Sequence, residues 1–410
     1  GQQYEQSQPC PGGHFCAGSG LCIFGDDVVP PSVTAYDQTL PAVSWHKKTG
    51  FMLAWASDHE DNSDLGVFAR RLGTDGQRIG QAFQLSSNSL LVQTEPTIAH
   101  GPDGGFVAAW RSAHDNTVNI YKRAFDPTGK ALDEQDVRVN ELAIDNIQRY
   151  PDVAVNKNGV TMVVWQSKGN EVGIGGCTLQ YCVEGIGGRT FMENGQAEDE
   201  VLINSSLPKK QANPAIAALP DGNFVVVWDS DSGDGSGYGV FGNMFNELGS
   251  GLKVEFQINN NINGNQIQPD VAALADGRFI VTWNSVTASA QGISSQVWAR
   301  VFRGDGSPDS DDVLVSEGAT DAGNPKIDVF SDDYSLFVWH QSGDGDALGI
   351  MGRVYTNSLL TEAPFVINQI VSGAQQLPAV AATDMFTYMA AWQGPGTNGD
   401  LDVFARVRLR

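Results

Sequence analysis

The sequence predicts an all-β fold built from seven similar units. Seven prolines are each followed 14 residues later by a tryptophan, short apolar runs are separated by Asp-Gly or Asn-Gly pairs, and no helical period is evident. Repeats of roughly 50 residues made of antiparallel hairpins are typical of a β-propeller. The chain is therefore predicted to form a seven-bladed β-propeller of four-stranded antiparallel blades. The proline–tryptophan pairs are Pro41–Trp55, Pro96–Trp110, Pro151–Trp165, Pro214–Trp228, Pro269–Trp283, Pro325–Trp339 and Pro378–Trp392.

The first strand of each unit starts at the proline, where a missing N–H costs least. Val or Ile stands two residues later, as in Val43, and the next residue is small in six of the seven units. Asp328 is the exception at that position. The pattern predicts a strand whose backbone is closely approached by its neighbours.

The remaining strands follow in the same order in each unit. A turn such as Asp103-Gly104 is a strong hairpin signal and leads to the second strand. That strand is apolar nearly throughout, as in Phe106–Trp110, and is expected to be covered on both faces. Third and fourth strands are predicted around Gly66–Arg70 and Phe83–Leu85. In the third unit, a glycine-rich sequence around two cysteines is expected to replace the third strand.

The seventh unit has no fourth strand after its third. Val28 lies 13 residues before Pro41, just as Phe83 lies 13 residues before Pro96. The N-terminal segment is therefore expected to complete the last blade, which removes an open sheet edge. This divides the chain into a cysteine-rich leader, residues 1–23, and the propeller, residues 24–410.

Charge excludes one class of partner. The 410 residues include 48 Asp or Glu and 25 Lys or Arg, for a formal net charge of −23. Nucleic acid is not expected as a partner, because phosphate binding needs a basic face. No run of about 18 apolar residues occurs, so no membrane span is predicted. The sequence leaves the oligomeric state open.

The five cysteines fall into two groups and predict disulfides. Disulfides are typical of an oxidising environment, so the protein is expected to be extracellular or at the cell surface. A zinc cluster with His14 is the alternative, but the five-residue spacing in the leader is not a zinc-ribbon pattern. The odd number leaves one leader cysteine over. The cysteines are Cys10, Cys16 and Cys22 in the leader and Cys177 and Cys182 in the third unit.

Glutamines recur three residues before the proline. One interpretation is a ring of amides at the mouth of the central channel that binds a polar ligand. The other is that each amide hydrogen-bonds backbone and holds the blades together. Asp152 and Asp270, directly after prolines, are further candidate ligand-binding groups near the channel mouth, as is Lys326. The glutamines are Gln38, Gln93, Gln148, Gln211, Gln266 and Gln375.

Aspartates crowd the loops that follow several tryptophans. Closely spaced carboxylates with glycines suit calcium, which takes several oxygen ligands from a flexible loop. The alternative is a solvated loop held by Asx turns. Calcium is the cofactor that these loops predict. The candidate ligands are Asp58, Asp61, Asp64, Asp229, Asp231, Asp234, Asp344 and Asp346.

No catalytic constellation can be picked out from the sequence. The six histidines occupy different repeat positions, and neither a Ser-His-Asp order nor a paired-carboxylate motif is apparent. His100 is the histidine most expected to be buried or to face the channel, and a structural role is favoured for it.

The repeated unit, Pro-x-Ile/Val-Ala followed by Asp-Gly-x-Phe-Val-Val-x-Trp, Gly-Val-Phe-Ala-Arg and Phe-x-Ile-Asn, resembles the propeller-forming repeats of large secreted bacterial surface proteins and adhesins. The resemblance covers residues 24–410. It implies an extracellular adhesive or binding role and does not name a ligand.

These observations favour a secreted or cell-surface, non-enzymatic propeller that recognises a glycan or protein through its loop face, with calcium stiffening the acidic loops. A first alternative is an extracellular carbohydrate-active enzyme, a lyase or a hydrolase, with its site at the channel mouth, because a fold does not decide a function. A second alternative is a structural subunit of a surface layer or filament.

Overall fold

The computed structural model describes residues 22–31, 35–58, 64–89, 92–113, 117–141, 147–168, 184–205, 210–231, 233–290, 292–331, 334–356, 359–360, 363–383, 387–396 and 398–409. This part of the chain contains strands and no helix, so no helix long and apolar enough to span a membrane is found in it. In chain order the strands are β1 (Cys22–Val28), β2 (Gln38–His46), β3 (Gly50–Asp58), β4 (Leu65–Leu72), β5 (Arg78–Gln84), β6 (Gln93–His100), β7 (Phe106–Ser112), β8 (Asn119–Phe125), β9 (Val137–Arg138), β10 (Ile147–Val155), β11 (Thr161–Lys168), β12 (Gly185–Phe191), β13 (Val201–Leu202), β14 (Gln211–Ala218), β15 (Phe224–Asp231), β16 (Tyr238–Phe245), β17 (Phe256–Gln257), β18 (Asn265–Ala273), β19 (Phe279–Ser289), β20 (Gly292–Phe302), β21 (Val313–Leu314), β22 (Gly323–Ser331), β23 (Tyr334–Ser342), β24 (Leu348–Thr356), β25 (Leu359–Leu360), β26 (Phe365–Val366), β27 (Gln376–Ala382), β28 (Thr387–Pro395) and β29 (Leu401–Leu409).

The described strands form seven antiparallel sheets, which are the seven predicted blades. Blade one has the order β2-β3-β4-β5, and the following blades repeat it. In blade six the outer edge is shared by two short strands, β25 and β26, which both pair with β24. The first strands contact one another in a closed circle around the axis. The predicted all-β, seven-bladed propeller is thus confirmed.

Apolar packing between blades forms the core. The seven repeat tryptophans are at most 1% exposed, and each apolar cluster combines residues of two neighbouring blades. Trp55, for example, packs with Met389 and Val403 of the last blade. A second strand that is apolar throughout is therefore explained by burial against a neighbour on each side.

A repeated polar contact also joins the blades. A side chain on the third strand of one blade donates a hydrogen bond to a carbonyl just after the fourth-strand position of the preceding blade. The pairs, 2.7 to 3.3 Å apart, are Arg70–Pro30, Arg123–Leu85, Arg189–Val139, Asn243–Ile203, Arg300–Ile258, Arg353–Val315 and Arg406–Ile367.

The N-terminal segment completes blade seven, as predicted. β1 pairs antiparallel with β29, and Val28 stands opposite Ala405. The Asp27 carboxylate accepts hydrogen bonds from the backbone N–H groups of Gln369 and Ile370 in blade six, at 2.7 and 2.8 Å. The segment therefore makes the same kinds of contact as a fourth strand elsewhere in the ring.

The expectation that blade three lacks a regular third strand is wrong. β12 pairs with β11 over its whole length. Its glycines fit the core: a Cβ on Gly187 would lie 2.6 Å from the Trp165 ring, and one on Gly188 would lie 2.6 Å from Ile203. The Gly-Ile-Gly-Gly-Arg sequence of β12 corresponds to Gly-Ile-Met-Gly-Arg in β24. Glycine content therefore reflects close packing, not a lost strand.

The predicted disulfides cannot be compared with the structure. Cys10, Cys16, Cys177 and Cys182 lie outside the described residues, and Cys22 is described only as the first backbone position of β1. The pairing stays a prediction.

Candidate functional site

A cavity of about 680 Å³ lies at the mouth of the central channel. Residues around the repeat proline line it in all seven blades, from one position before the proline to two positions after. Because the first strands surround the axis, the cavity brings together residues that are more than 300 positions apart, such as Leu40 and Leu377. It is the place where a repeating scaffold can present side chains that differ from blade to blade.

The residue before each proline has an unusual backbone. Its φ lies between 48° and 56° in every blade, and the first strand is out of register with the second at this point. A left-handed φ is rare for residues other than glycine, because it brings the side chain close to the backbone. Such a strained conformation persists only where contacts with the surrounding structure stabilise it. A bulge re-aims side chains, here towards the cavity. We call these residues the rim: Leu40, Glu95, Tyr150, Asn213, Gln268, Asn324 and Leu377.

The rim does not repeat its chemistry. Blades one and seven contribute leucine, whereas blades two to six contribute a carboxylate, a tyrosine and three amides. Tyr150 is 46% exposed, and the Arg149 guanidinium lies over its ring, 5.4 Å from the ring centre. Sequence reasoning missed the rim because the proline repeat drew attention to what the blades share. The signal was the varied residue beside each invariant proline.

Residues after the tryptophans hold the rim backbone. The Asp229 carboxylate accepts hydrogen bonds from the Asn213 side chain at 2.7 Å and the Gln268 N–H at 2.9 Å. Gln393 accepts one from the Leu40 N–H at 3.1 Å. The Gln268 and Leu40 contacts cross from one blade to the next, whereas the Asn213 contact lies within blade four. Together they supply partners for a strained conformation. Asp229 is 1% exposed, and burial raises its pKa to about 6.

Two carboxyl groups and one ammonium group lie deeper in the cavity. Asp152 accepts hydrogen bonds from the Thr97 hydroxyl at 2.9 Å and the Ile216 N–H at 3.0 Å. Burial raises the pKa of Asp152; the Lys326 ammonium lowers it in part, and the nearby Asp270 charge acts in the same direction as burial. Asp270 is 3.1 Å from the Lys326 ammonium. The pKa of Lys326 is raised, because the two carboxylates outweigh the opposite effect of burial. The sequence-predicted candidates Asp152 and Asp270 are thus brought together.

Asp328 occupies a related place outside the cavity lining. Its carboxylate accepts hydrogen bonds from the Ala382 N–H at 2.7 Å and the Val329 N–H at 2.8 Å. Burial raises its pKa to about 6. Asp328 therefore links blades in the same manner as Asp152 and is not among the residues that line the cavity.

Ion pairs lie behind the polar part of the rim. Glu95 is 2.8 Å from Arg111 and accepts the Tyr150 N–H. Glu184, which is buried, is 2.7 Å from Arg149 and 3.1 Å from Lys210. Glu95 thus holds the N–H of Tyr150, and Glu184 holds the side chain of Arg149, the residue before it.

The glutamine repeat does not form a ligand-binding ring, which corrects that expectation. All six side chains are at most 2% exposed, and none lines the cavity. The Gln375 side chain donates a hydrogen bond to the Ser372 carbonyl and accepts one from the Trp392 indole N–H at 3.1 Å. The Gln211 side chain accepts one from the Trp228 indole N–H at 2.9 Å. Trapped in this way, the amides are out of reach of a ligand in the channel. They are Gln38, Gln93, Gln148, Gln211, Gln266 and Gln375.

The acidic loops use their carboxylates within the protein. Asp234 accepts a hydrogen bond from the Asn259 side chain at 3.1 Å, and Asp344 accepts one from Asn368 at 2.8 Å. Asp346 accepts the Gly373 N–H at 2.7 Å. In the described residues, no three His, Cys, Asp or Glu side chains are grouped so that they could hold a metal ion. Asp58, Asp64 and Asp231 are among the described residues and belong to no such group. Asp61 lies outside the described residues. Calcium binding stays a prediction.

His100 lies beyond the cavity, on the far part of β6. Its Nδ1 is 2.8 Å from the Ser44 hydroxyl, and its ring stacks against His46. Burial lowers the pKa of His100 to about 3, so the ring is neutral at ordinary pH.

Comparisons with known proteins show the fold and no closer relationship. No family model matches the chain, and no curated protein sequence matches it. A protein of unknown function from Dyadobacter fermentans has a TM-score of 0.54 at 13% identity, over 81% of this chain and 98% of that one. An α-L-arabinofuranosidase from Fusarium graminearum has a TM-score of 0.53 at 13% identity, over 83% and 99%. A polysaccharide lyase has a TM-score of 0.53 at 8% identity, over 92% and 91%.

These comparisons overturn the expectation of a non-enzymatic adhesion propeller. The arabinofuranosidase and the polysaccharide lyase are both enzymes that act on carbohydrates. The resemblance to adhesin repeats finds no support, whereas the propeller itself is confirmed. The comparisons support the alternative of a carbohydrate-active enzyme better than the adhesion interpretation. The alternative of a structural subunit stays a prediction.

Proposed function

We propose that the protein is an extracellular glycoside hydrolase whose site is the cavity at the channel mouth. The observation that carries this proposal is the non-repeating rim above two carboxyl groups, Asp152 and Asp270, in different electrostatic settings. A pair of titratable groups whose environments differ is the usual basis for assigning an acid and a base. The enzymes of similar fold that act on carbohydrates support the same class of substrate.

Asp152 is suited to be the general acid. A raised pKa keeps its proton to a higher pH than an exposed carboxyl would, so it can protonate the departing glycosidic oxygen. Asp270, beside the Lys326 ammonium, supplies the negative charge that faces the anomeric carbon. The glycosidic C–O bond breaks as Asp152 gives its proton to the leaving oxygen. Water then bonds to the anomeric carbon, and the proton that it loses restores Asp152.

The rim is suited to bind the sugar. Amide and carboxylate groups form directional hydrogen bonds with hydroxyl groups. The exposed ring of Tyr150 offers an apolar face with a polar tip, which suits a sugar ring. An extracellular location fits the cysteine-rich leader, because disulfides are typical of an oxidising environment.

Two asparagine substitutions test the proposal. Asp152 and Asp328 both accept backbone N–H bonds from the next blade, but Asp152 alone of the two lines the cavity. We expect Asp152→Asn to lower kcat by at least about 100-fold, the scale of general acid catalysis. We expect Asp328→Asn to keep the wild-type kcat. Reducing-end release from a glycan panel, with thermal unfolding of both variants, provides the measurement. Equal activity in the two variants contradicts the assignment.

A further inference from the structure

We infer that the channel mouth takes a neutral glycan and discriminates against glycans that carry carboxylate or sulfate groups. The inference rests on the proposed function and adds the substrate class. It follows from the charges of the cavity, from their partners and from the uncharged groups of the rim.

The cavity lining disfavours an anionic ligand. Of the described residues that line it, Lys326 is the one cation, against the carboxyl groups of Glu95, Asp152 and Asp270. The whole chain has a formal net charge of −23. A polyanion is therefore repelled at long range and meets a surplus of carboxyl groups at contact.

The cations at the mouth already have partners. Lys326 is 3.1 Å from Asp270, and Arg111 is 2.8 Å from Glu95. Arg149 and Lys210 share Glu184, at 2.7 and 3.1 Å. A sugar carboxylate would have to displace one of these carboxylates, which would leave a charge without its partner in a partly buried site.

The carboxylates are occupied as well, so an amino sugar gains no free counter-ion. Glu95 is engaged by Arg111 and the Tyr150 N–H, and Asp270 by Lys326 and the Ile327 N–H at 2.8 Å. Asp152 is engaged by Thr97 and the Ile216 N–H. The charged groups of both signs thus have hydrogen-bond or ion-pair partners inside the protein.

The groups left to select a ligand are uncharged. Asn213, Gln268 and Asn324 place three amides side by side along the rim, next to the exposed Tyr150. The Asn213 amide donates one hydrogen bond to Asp229, and the Asn324 amide nitrogen lies 3.4 Å from His340 Nδ1. Each amide has a second N–H and an oxygen that these contacts do not use. Amides donate to and accept from hydroxyl groups without requiring a charge. A neutral substrate also fits hydrolysis: elimination from a sugar needs a carboxylate beside the proton that is removed, and a neutral sugar has none.

The test compares neutral and anionic glycans on the full chain. Wild-type protein is assayed by calorimetry and by reducing-end release on arabinan, xylan and galactan, and on polygalacturonate, alginate and heparan sulfate. We expect cleavage only in the neutral set, and binding of the anionic set to be weaker than that of the neutral set by at least about tenfold. Cleavage or tighter binding in the anionic set overturns the inference and leaves the proposed function standing. Binding and cleavage of no glycan overturns the proposed function, and the inference with it.

A charge-release variant gives a second readout. Glu95→Gln removes the partner of Arg111 and keeps an amide oxygen for the Tyr150 N–H. Glu134→Gln, on the exposed surface, changes the net charge equally. We expect Glu95→Gln to tighten binding of an anionic glycan about tenfold, the scale of one charge-assisted hydrogen bond. The expected result for Glu134→Gln is no change. Equal behaviour of the two variants overturns the argument from paired charges.

Discussion

The Nη1 atom of Arg70 donates a hydrogen bond to the carbonyl of Pro30 at 2.7 Å, in the interior between blade one and the N-terminal segment. Arg353 makes the equivalent bond to Val315, and Arg406 to Ile367. Pro30 thus occupies the position that Val315 and Ile367 have after their own fourth strands. The closing segment is part of the ring and not an addition to it.

Removing the closing segment should therefore open the ring. Deletion of residues 1–31 exposes the outer edge of β29 and removes the buried Pro30 carbonyl that accepts from Arg70, which keeps its bonds to the Gly80 carbonyl. We expect loss of cooperative thermal unfolding and increased aggregation, since an open sheet edge pairs with other chains. Deletion of residues 1–21 keeps β1 and is the matched control. Similar unfolding curves for the two truncations would contradict the role given to Pro30.

The buried glutamines should matter for stability. Gln375→Leu leaves the Trp392 indole N–H without its acceptor in the core. We expect the free energy of unfolding to fall by about 1–3 kcal/mol, the usual cost of an unsatisfied buried donor. Denaturant unfolding checks this, and KM on the substrate found in the glycan panel is expected to stay within error. A changed KM at unchanged stability would restore the ligand-binding interpretation.

Asp229 should make stability depend on pH. Its pKa is about 6 in the folded protein against an ordinary 3.8, so folding takes up a proton between these values. This contribution is complete below about pH 4, falls as the pH rises and is gone above about pH 6. Two pKa units correspond to roughly 3 kcal/mol. Asp229→Asn, a neutral isostere, should gain stability over wild type as the pH rises from 4 to 7.

The control for Asp229 is Asp199→Asn, a change on the exposed surface. Thermal unfolding at pH 4, 5, 6 and 7 should show a growing difference between wild type and Asp229→Asn, and a constant one for Asp199→Asn. Parallel curves for Asp229→Asn and wild type would show that Asp229 does not take up a proton on folding.

The acidic loops can be tested for metal with one substitution. Asp344 accepts a hydrogen bond from Asn368, whose own side-chain oxygen accepts the Ile350 N–H at 2.7 Å. We expect Asp344→Ala to lower the melting temperature equally with calcium and with chelator, because the hydrogen bond is lost in both cases. A loss seen only with calcium present would instead make Asp344 a calcium ligand.

The blades could be predicted from the sequence because proline, tryptophan and turn glycines are fixed by backbone and packing needs that recur in each blade. The same reasoning placed Val28 in the last blade. It failed for β12, because the glycine-rich sequence of the third unit was expected to replace a strand. The lack of a side chain at Gly187 and Gly188 is what lets Trp165 and Ile203 pack.

The site was harder to predict because it depends on differences between the blades. Asp152 and Asp270 stood out as charges beside prolines, and both line the cavity. Tyr150 and Asn213 did not, because their left-handed backbone conformation before a proline is contrary to local preference. It depends on hydrogen bonds that their N–H groups donate to Glu95 and Gln166 of the preceding blade. The glutamines misled for the opposite reason: a side chain that recurs in six blades serves the scaffold.

The account depends on where a glycan binds, and a crystal structure of Asp152→Asn with a bound neutral oligosaccharide tests that most directly. We expect the sugar at the channel mouth, against Tyr150 and the amides of Asn213 and Gln268, with a glycosidic oxygen within hydrogen-bonding distance of residue 152. The account would be contradicted if the sugar were bound on the outer strands or at the far end of the channel, and not in the cavity.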